Sequence, residues 1–218
     1  RLSDSAMTPF LGNGGSALSL PGGYPAATTA AMPLATTLQN VDIGFKRTRY
    51  DLGASVLNGE NWSYRVDLRR DVRDGTQRTS GSFYTNGTHL VNPVDQVTDQ
   101  LELSTSYTSR LWQATLAYHA SLYRSGPEAL TWTNAFLSAP IGNTSGQLAQ
   151  APSNQFHQIV ASAGYEFSPT LRASAEIAFG RMTQDAAYLA ATTNPSLVVP
   201  ALPAQSLQGR ADTLNASL

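Results

Sequence analysis

The chain lacks cysteine and is poor in charge. Its 218 residues contain no cysteine, which excludes disulfides, thiolate zinc sites, iron–sulfur ligation and CxxCH haem attachment by this chain. Charged residues make up 13% of the sequence, about half the fraction in a typical soluble domain. The formal net charge of -1 gives no general basic field, so no nucleic-acid partner is expected.

Long apolar runs are also missing. No continuous apolar stretch reaches the roughly 18 residues that a transmembrane helix needs. A membrane remains possible, because a transmembrane barrel strand shows only short alternation of apolar and polar residues. The sequence starts without a charged-then-apolar secretory signal, Arg1 is not an initiator, and TLNASL stops inside an apparent strand. We therefore expect a piece of a longer mature chain.

Motifs of catalysis and ligand binding are missing as well. There is no GxSxG, no Walker loop and no GxGxxG, and the glycine-rich LGNGGS lacks the lysine of a phosphate-binding loop. His89, His119 and His157 occur without HExxH or a second histidine within a turn, which favours lining or hydrogen-bonding roles. We expect no catalytic, cofactor-binding or metal site, and hence not an enzyme.

What the chain does have is alternation. Residues 1–40 are rich in Gly, Pro, Ala, Ser and Thr and predict a loop-rich segment, an extracellular loop. From Val41 onward apolar and polar residues alternate with the period of two that separates the faces of a strand. Val41, Ile43 and Phe45 have the opposite parity to residues 50–56. This switch predicts one strand with a bulge near KRTR, or two short strands.

The spacing of the connections predicts the architecture. Strict alternation of short and long connections is typical of up-and-down outer-membrane barrels, whose turns are short on the periplasmic side and long outside. We predict an all-β fold: about seven strands over 41–218 form an incomplete arc of one large up-and-down antiparallel transmembrane β-barrel, with short periplasmic turns and long extracellular loops. The short turns are expected near 58–61, 108–110 and 168–170, and the long connections at about 72–97, 124–154 and 185–210.

Aromatic residues cluster beside the predicted short turns. Trp62 and Trp112 begin strands directly after such turns, whereas Tyr107, Tyr165 and Phe167 lie just before them. Aromatic residues favour strands in general, but this clustering favours a girdle of rings at one membrane interface.

The residues of polar parity are the candidates for the barrel interior. The densest charge run, RVDLRRDVRD at 65–74, mixes both signs, which favours a lumen-facing ladder paired across strands over a ligand site. Arg70 and Asp71 are expected where this strand clears the membrane. The residues predicted by parity to face the lumen or a partner are Arg65, Asp67, Arg69, Gln113, His119, Arg172 and Glu176.

An ordered set of stretches resembles one family. The stretches are KRTRYDLGASV, NWSYRVDLRRDVRDGTQRTSGSF, NPVDQVTDQLELSTSY, LWQATLAYHASLYRS with LTWTNAF, APSNQFHQIVASAGYEFSP, and AFGRMTQDAAYL with LPAQSLQGRADTLN. Together they resemble the MtrB/PioB family of decahaem-associated outer-membrane barrels over nearly all of 41–218. The family motifs around FHQ and GRMTQD fall on Phe156, His157, Gln158, Gly180, Arg181, Met182, Thr183, Gln184 and Asp185.

The resemblance implies more than the residues do. It implies a barrel of about 26 strands in the bacterial outer membrane, surrounded by outer-membrane lipid, that sheathes a periplasmic decahaem c-type cytochrome. In the family a second, extracellular multihaem cytochrome often docks on the outer face. Haem c belongs to the cytochrome, so this chain itself binds no cofactor. The implied function is extracellular electron transfer, and GRMTQD would lie at the rim, where Gly180 suits close backbone approach or a bulge.

Two other readings of the alternation stay open. A diffusion porin or solute transporter with a water-filled lumen needs the same polar interior as a sheath. A soluble β-sandwich adhesin also has alternating strands.

Overall fold

The protein is built almost entirely from β-strands. The computed structural model describes residues 2–83, 86–137, 142–200 and 206–218. The strands are β1 Leu2–Thr8, β2 Ala17–Leu18, β3 Gln39–Asn58, β4 Trp62–Phe83, β5 Asn86–Thr108, β6 Trp112–Ser125, β7 Ala129–Thr133, β8 Ser145–Ala149, β9 Asn154–Ser168, β10 Leu171–Ala187 and β11 Ser206–Ser217.

Eight strands form one antiparallel sheet, the main sheet. Its order is β1-β3-β4-β5-β6-β9-β10-β11, and residues 59–61, 109–111 and 169–170 are its short turns. The predicted all-β, antiparallel fold is confirmed. The helices in the described ranges are a 3₁₀ turn at Thr29–Ala31 and a four-residue α1 at Leu34–Thr37. In those ranges no helix is long and apolar enough to cross a membrane.

The β4–β5 hairpin is much longer than a membrane crossing requires. Its strands have 22 and 23 residues, about 70 Å at the usual strand rise, whereas a tilted barrel strand spans the bilayer with about 9–11 residues. The long connection predicted at 72–97 was wrong, because paired strand occupies 72–83 and 86–97. The polar composition there suggested a loop, but backbone pairing and packing on one side of the hairpin keep it extended. Residues 84–85 lie outside the described ranges.

The predicted bulge near KRTR was also wrong. β3 is one strand and pairs with β4 in an unbroken register over 44–58, so Val41, Ile43 and Phe45 truly lie on the face opposite to Tyr50 and Leu52. The parity of the apolar residues changes because the surroundings change along the strand. Ile43 is buried at 8% exposure, whereas Leu52 on the other face is 69% exposed.

A second, small sheet packs against the far half of the long hairpin. It contains β2, β7 and β8, with β2 parallel and β8 antiparallel to β7. Trp132 in β7 packs edge-on against Phe83 with ring centroids 5.9 Å apart, and lies between Gly81 and Gly146, where a Cβ would come within 2.4 Å of its ring. This is the main hydrophobic cluster of the described residues: Phe10, Leu18, Phe83, Leu90, Leu130 and Trp132.

Some segments that the sequence pattern left between the predicted strands contain short strands of their own. Residues 1–40, expected as a loop-rich segment, include two strands: β1, which pairs with β3, and β2 of the small sheet. The segment 124–154 likewise contains β7 and β8. These short strands escaped the sequence pattern because their burial comes from packing against the hairpin rather than from regular alternation.

The main sheet has two chemically different faces. We call the side that carries Trp62, Tyr64, Val66 and Leu68 the apolar face, and the opposite side the polar face. Antiparallel pairing places partners on the same side, so the register joins apolar positions of neighbouring strands into one continuous surface. Its large side chains are strongly exposed, including Val56, Leu116, Ile159, Ile177 and Leu214. An exposed apolar surface of this extent marks a contact with lipid or protein.

Aromatic side chains form a row on the apolar face, at the end of the main sheet where the short turns lie. The Trp62 and Tyr107 centroids are 5.1 Å apart, as are those of Trp112 and Tyr165, and Phe167 lies 4.7 Å from Tyr165. The predicted clustering of aromatic side chains beside the turns is confirmed. Such a row at one end of an apolar surface is typical of a membrane-interface girdle.

Candidate functional site

The polar face brings the parity-predicted residues together on one side of the main sheet. Arg65, Asp67 and Arg69 alternate along β4 with the apolar-face residues. The pairing from β4 through β5 and β6 to β9 and β10 keeps these positions on that side, with one register shift in the β9–β10 pair between Leu171 and Arg172. All seven predicted residues therefore share the polar face: Arg65, Asp67, Arg69, Gln113, His119, Arg172 and Glu176.

Ion pairs run along β3 and β4. Asp51 accepts from Arg69 Nε at 2.6 Å across the two strands, and Arg49 Nε lies 3.2 Å from the same carboxylate. Arg65 contacts Asp67 through two nitrogens, at 2.5 and 3.2 Å, within β4. The predicted cross-strand pairing thus holds for Arg69, whereas Arg65 is paired along its own strand. Exposed pairs of this kind contribute little stability individually, but they fix the direction of the guanidinium groups.

The ladder continues on the neighbouring strands. His119 Nδ1 lies 3.7 Å from Glu102 Oε2 in the adjacent β5, and Arg172 Nη2 lies 3.3 Å from Glu166 Oε2 in β9. Gln113 pairs with Gly164 across β6 and β9. The polar face is thus a surface of mixed charge and small polar groups. Within the described residues no group of three or more His, Asp or Glu could hold a metal ion.

Asp71 is the most enclosed carboxylate of this ladder. Its side chain is 11% exposed, and Arg47 donates from Nε at 2.7 Å and from Nη2 at 2.5 Å. Asp71 directly follows Arg70, which is the first charged residue that β4 carries on the apolar face after Leu68. Hydrogen bonds from Arg47 hold the pKa of Asp71 below its usual value, opposed by burial and aided by the charges of Arg47 and Arg73.

This arrangement predicts a pH-dependent stability. A carboxyl whose pKa is lowered by folding stabilises the protein above its unfolded pKa of about 3.9, and the contribution is lost as the pH falls through the folded pKa. We expect Asp71→Asn to cost about 1 kcal/mol at neutral pH. The difference from wild type, measured by denaturant titration of the full-length protein, should shrink below about pH 4. A difference that is constant with pH would contradict the role of the ionised carboxylate.

The two family-like motifs are direct neighbours in the sheet. Phe156, His157 and Gln158 of β9 pair with Met182, Arg181 and Gly180 of β10, in that order. The alternation splits them between faces. The motif residues on the polar face are Phe156, Gln158, Gly180, Met182 and Gln184, and those on the apolar-face side are His157, Arg181, Thr183 and Asp185.

Gly180 allows an aromatic ring to lie across the backbone. A Cβ at this position would stand 2.7 Å from Thr213 Oγ1 and 3.1 Å from Phe156 Cε2, and Gly180 is buried under these side chains. The sequence suggested close backbone approach or a bulge at Gly180, whereas the atoms nearest to this position belong to the side chains of Thr213 and Phe156. β10 and β11 pair without a break on either side of Gly180, so it is no bulge. Covering a strand glycine with a neighbouring aromatic ring is a known stabilising device.

This packing predicts a specific sensitivity at Gly180. We expect Gly180→Val to destabilise the folded protein by about 1–3 kcal/mol, because overpacking forces the Phe156 ring and Thr213 to move. Gly164 on the same face is the matched control, since a Cβ there has no neighbour nearer than 3.7 Å. Gly164→Val should be close to neutral in the same unfolding titration. Adding Phe156→Ala should recover part of the Gly180→Val loss, and equal losses at both glycines would refute the ring contact.

His157 lies on the other side and is held by a tyrosine. The hydroxyl of Tyr118 and Nδ1 of His157 are 2.7 Å apart, and their rings stack at 6.1 Å. Both residues belong to the apolar face, on which Ile159, Ala161 and Ala163 precede the turn. His157 therefore marks the outer end of the apolar stretch in β9.

Comparison with known proteins agrees with this geometry. The whole chain, residues 1–218, matches the family described as "Putative outer membrane beta-barrel porin, MtrB/PioB". The chain belongs to the MtrB/PioB family. It is also 30% identical over 218 residues to "Outer membrane protein MtrB" of Shewanella baltica (strain OS185), a match that covers 99% of this chain. It spans 30% of the length of that relative.

Membership of the MtrB/PioB family places the two faces of the main sheet in the wall of a membrane barrel. The protein is an outer-membrane β-barrel protein, and its eight-stranded main sheet is an arc of such a barrel. Barrels of this kind carry an apolar band on the outside between aromatic girdles. The apolar face of this MtrB/PioB sheet has that character, from the aromatic row at the short turns to His157 and the first charged residues beyond.

Several members of the charge ladder were not foreseen from the sequence. Asp51, Glu102 and Glu166 pair with the predicted residues Arg69, His119 and Arg172, respectively. Asp71 was part of the predicted charge run, but its partner Arg47 was not singled out from the sequence. Part of this pairing could have been expected from the sequence. The charged residues of KRTRYD lie opposite those of RVDLRRD when the two stretches pair as a hairpin. The strand register was needed to pair them, and sequence alternation alone does not supply it.

Proposed function

We propose that this chain is part of a porin-like sheath that encloses a multihaem c-type cytochrome and so supports electron transfer across the outer membrane. The polar face would line the lumen, and the chain itself would act as a structural protein without catalytic residues or a cofactor of its own. The chain covers part of a barrel, so the closed sheath is a proposal about the longer protein. An extracellular multihaem cytochrome is a further partner that the family resemblance suggests.

The observation that carries the proposal is the character of the polar face. Its arginines are held by neighbouring carboxylates, and serine, threonine and glutamine fill the positions between. A folded protein surface is polar and cannot be solvated by lipid tails. An arc with an apolar outside and a fixed, polar inside separates the two environments. Electrons need a chain of haems to cross a core of about 30 Å, and a sheath of this kind can hold one.

The position of the small sheet favours a sheath over an open diffusion porin. Phe83, Gly81 and Leu90, against which Trp132 packs, have the polar-face parity of β4 and β5. The small sheet therefore lies on the inner side of the long hairpin, beyond the membrane-spanning half. Folded mass on that side narrows the path for free solutes. The porin alternative keeps support from the family description itself.

The sheath is tested by whether the full-length protein retains a haem-bearing partner. The protein is purified from the outer membrane in mild detergent and its partners are stained for covalent haem. Wild type should retain a haem-staining cytochrome. Ser104→Trp with Ser121→Trp, both on the polar face, should lower retention by filling the space of the partner.

The matched control places the same bulk on the other face. Ala114→Trp with Ala163→Trp lies on the apolar face and should leave haem retention at the wild-type level. A folded wild-type barrel without haem-staining partner, or one that conducts ions as a large open pore when isolated, would instead support the diffusion porin.

A further inference from the structure

Two clusters of charge lie on the apolar face just beyond the apolar stretch. In the first, Arg124 of β6 donates to Asp99 of β5, and Arg70 of β4 lies with Nε 3.7 Å from the same carboxylate. All three have the parity of the apolar face, since Arg70 follows Leu68 and Asp99 precedes Leu101 by two positions. This first triad therefore points outward, away from the proposed lumen.

The second cluster repeats the arrangement on β10 and β11. Arg181 Nε donates to Asp212 Oδ1 at 2.8 Å, and Arg210 Nη2 lies 2.6 Å from Asp212 Oδ2. The Arg181 guanidinium also lies 5.9 Å from the Phe179 ring centroid. Arg181 follows Phe179 and Asp212 precedes Leu214 by two positions, so the second triad also begins where the apolar residues of its strands end.

Each triad combines two guanidiniums with one carboxylate and is therefore positively charged. The four arginine side chains are 45–58% exposed, so they are not enclosed by the protein. A guanidinium has five N–H donors, and one shared carboxylate cannot occupy the donors of two of them. The free donors form the planar fork that suits phosphate oxygens.

The position of the triads along the membrane normal limits which groups they can bind. Toward the short turns the apolar face continues through Leu, Ile and Ala side chains to the aromatic row, and that surface contacts lipid tails in an outer-membrane barrel. The groups directly above lipid tails are lipid head groups. Because the triads lie at the end away from the short periplasmic turns, these head groups belong to the outer leaflet.

We propose that the Arg70–Asp99–Arg124 and Arg181–Asp212–Arg210 triads bind the phosphate groups of outer-leaflet lipids. The lipid is recognised by two features together: phosphate oxygens at the guanidinium forks and acyl chains along the apolar stretch below. The carboxylates keep the arginines extended and compete with phosphate for their donors. This lipid site is separate from the polar face and does not depend on a cytochrome.

Lipid binding to the full-length protein in detergent tests the proposal. Native mass spectrometry measures the binding of diphosphoryl lipid A and of the same glycolipid without its phosphates. It also measures how far inorganic phosphate competes with lipid A. Arg70→Gln with Arg124→Gln, and separately Arg181→Gln with Arg210→Gln, should weaken lipid A binding about tenfold each. The control Arg49→Gln with Arg73→Gln removes the same charge from the polar face and should leave lipid binding within about twofold of wild type.

Asp99→Asn distinguishes lipid binding from a purely structural role. Removing the competing carboxylate should tighten lipid A binding, whereas loss of a structural ion pair would only loosen the protein. Folding of every variant is checked by its heat-dependent mobility on SDS gels. Equal binding of the dephosphorylated glycolipid, displacement of lipid A by inorganic phosphate at the same concentration as the lipid, or an equal loss in the polar-face control would overturn the proposal.

Discussion

Leu116→Arg is expected to destabilise the barrel by about 2–4 kcal/mol, the cost of an arginine on the lipid face near the bilayer midplane. Leu116 lies in β6 between Trp112 in the aromatic row and Arg124 beyond the apolar stretch. It is 51% exposed on the apolar face, so the loss comes from contact with lipid rather than from a cavity. The measurement is a denaturant titration of the full-length protein folded into lipid vesicles.

The neighbouring residue supplies a matched control for Leu116. Ala117 lies on the polar face, where it pairs with Ser104 and Val160. Ala117→Arg should cost less than about 1 kcal/mol, because lumen-side positions accept polar substitutions. A larger loss from Ala117→Arg than from Leu116→Arg would mean that the two faces are assigned the wrong way round.

Trp132→Ala is expected to loosen the small sheet without unfolding the main sheet. The indole is 5% exposed and fills the gap between Gly81 and Gly146, so its removal leaves a cavity that two glycines cannot close. Loss of a buried tryptophan costs about 3–5 kcal/mol. The cost falls on the attachment of the small sheet, because the main sheet is held by its own ladder of backbone pairs.

Limited proteolysis separates local from global loosening after Trp132→Ala. Cleavage in the segments that carry β2, β7 and β8 should accelerate, while the heat-dependent gel mobility of the barrel stays as in wild type. Leu148→Ala in β8 is the control, since Leu148 is 38% exposed. Unchanged cleavage in the Trp132 variant, or accelerated cleavage in both, would contradict the role given to the indole.

The sequence pattern was sufficient to predict which side chains of the membrane-crossing strands share a face. Within a crossing, one face meets lipid and the other does not, so alternation is imposed at every position. That is why the parity of Trp62 to Leu68, Trp112 to Leu122 and Leu171 to Phe179 agrees with the faces in the structure. The short turns were visible because the same alternation stops there.

Outside the membrane this rule no longer applies. Val41, Ile43 and Phe45 change parity while β3 pairs without a break with β1 and β4. The polar-face side is partly covered there, since Ile43 is buried at 8% exposure while Phe45 is 39% exposed. The long hairpin was mistaken for a loop because its polar residues need no regular alternation once lipid is absent. The small sheet depends on contacts between segments far apart in the chain, which a local pattern does not reveal.

For the candidate sites, too, the sequence predicted the face of a residue but not its contacts across strands. Parity was enough to group Arg65, Asp67 and Arg69 on one face. It did not reveal that FHQ and GRM are paired neighbours, that Phe156 covers Gly180, or that Asp99 and Asp212 each join two arginines. Each of these contacts depends on the register between strands, and the register is fixed by turn geometry and by the whole ladder rather than by one strand's composition.

The most direct test of the proposed conduit is electron transfer across a sealed bilayer. Full-length protein, with or without its haem-bearing partner, is reconstituted into liposomes that enclose an electron-accepting dye, and a reductant that cannot cross lipid is added outside. For a cytochrome enclosed in the barrel, we expect rapid reduction of the dye only when barrel and cytochrome are both present, and no release of trapped small solutes from liposomes that carry the assembled complex. Dye reduction by the cytochrome without the barrel, or free solute leakage through the complex, would contradict the proposed conduit.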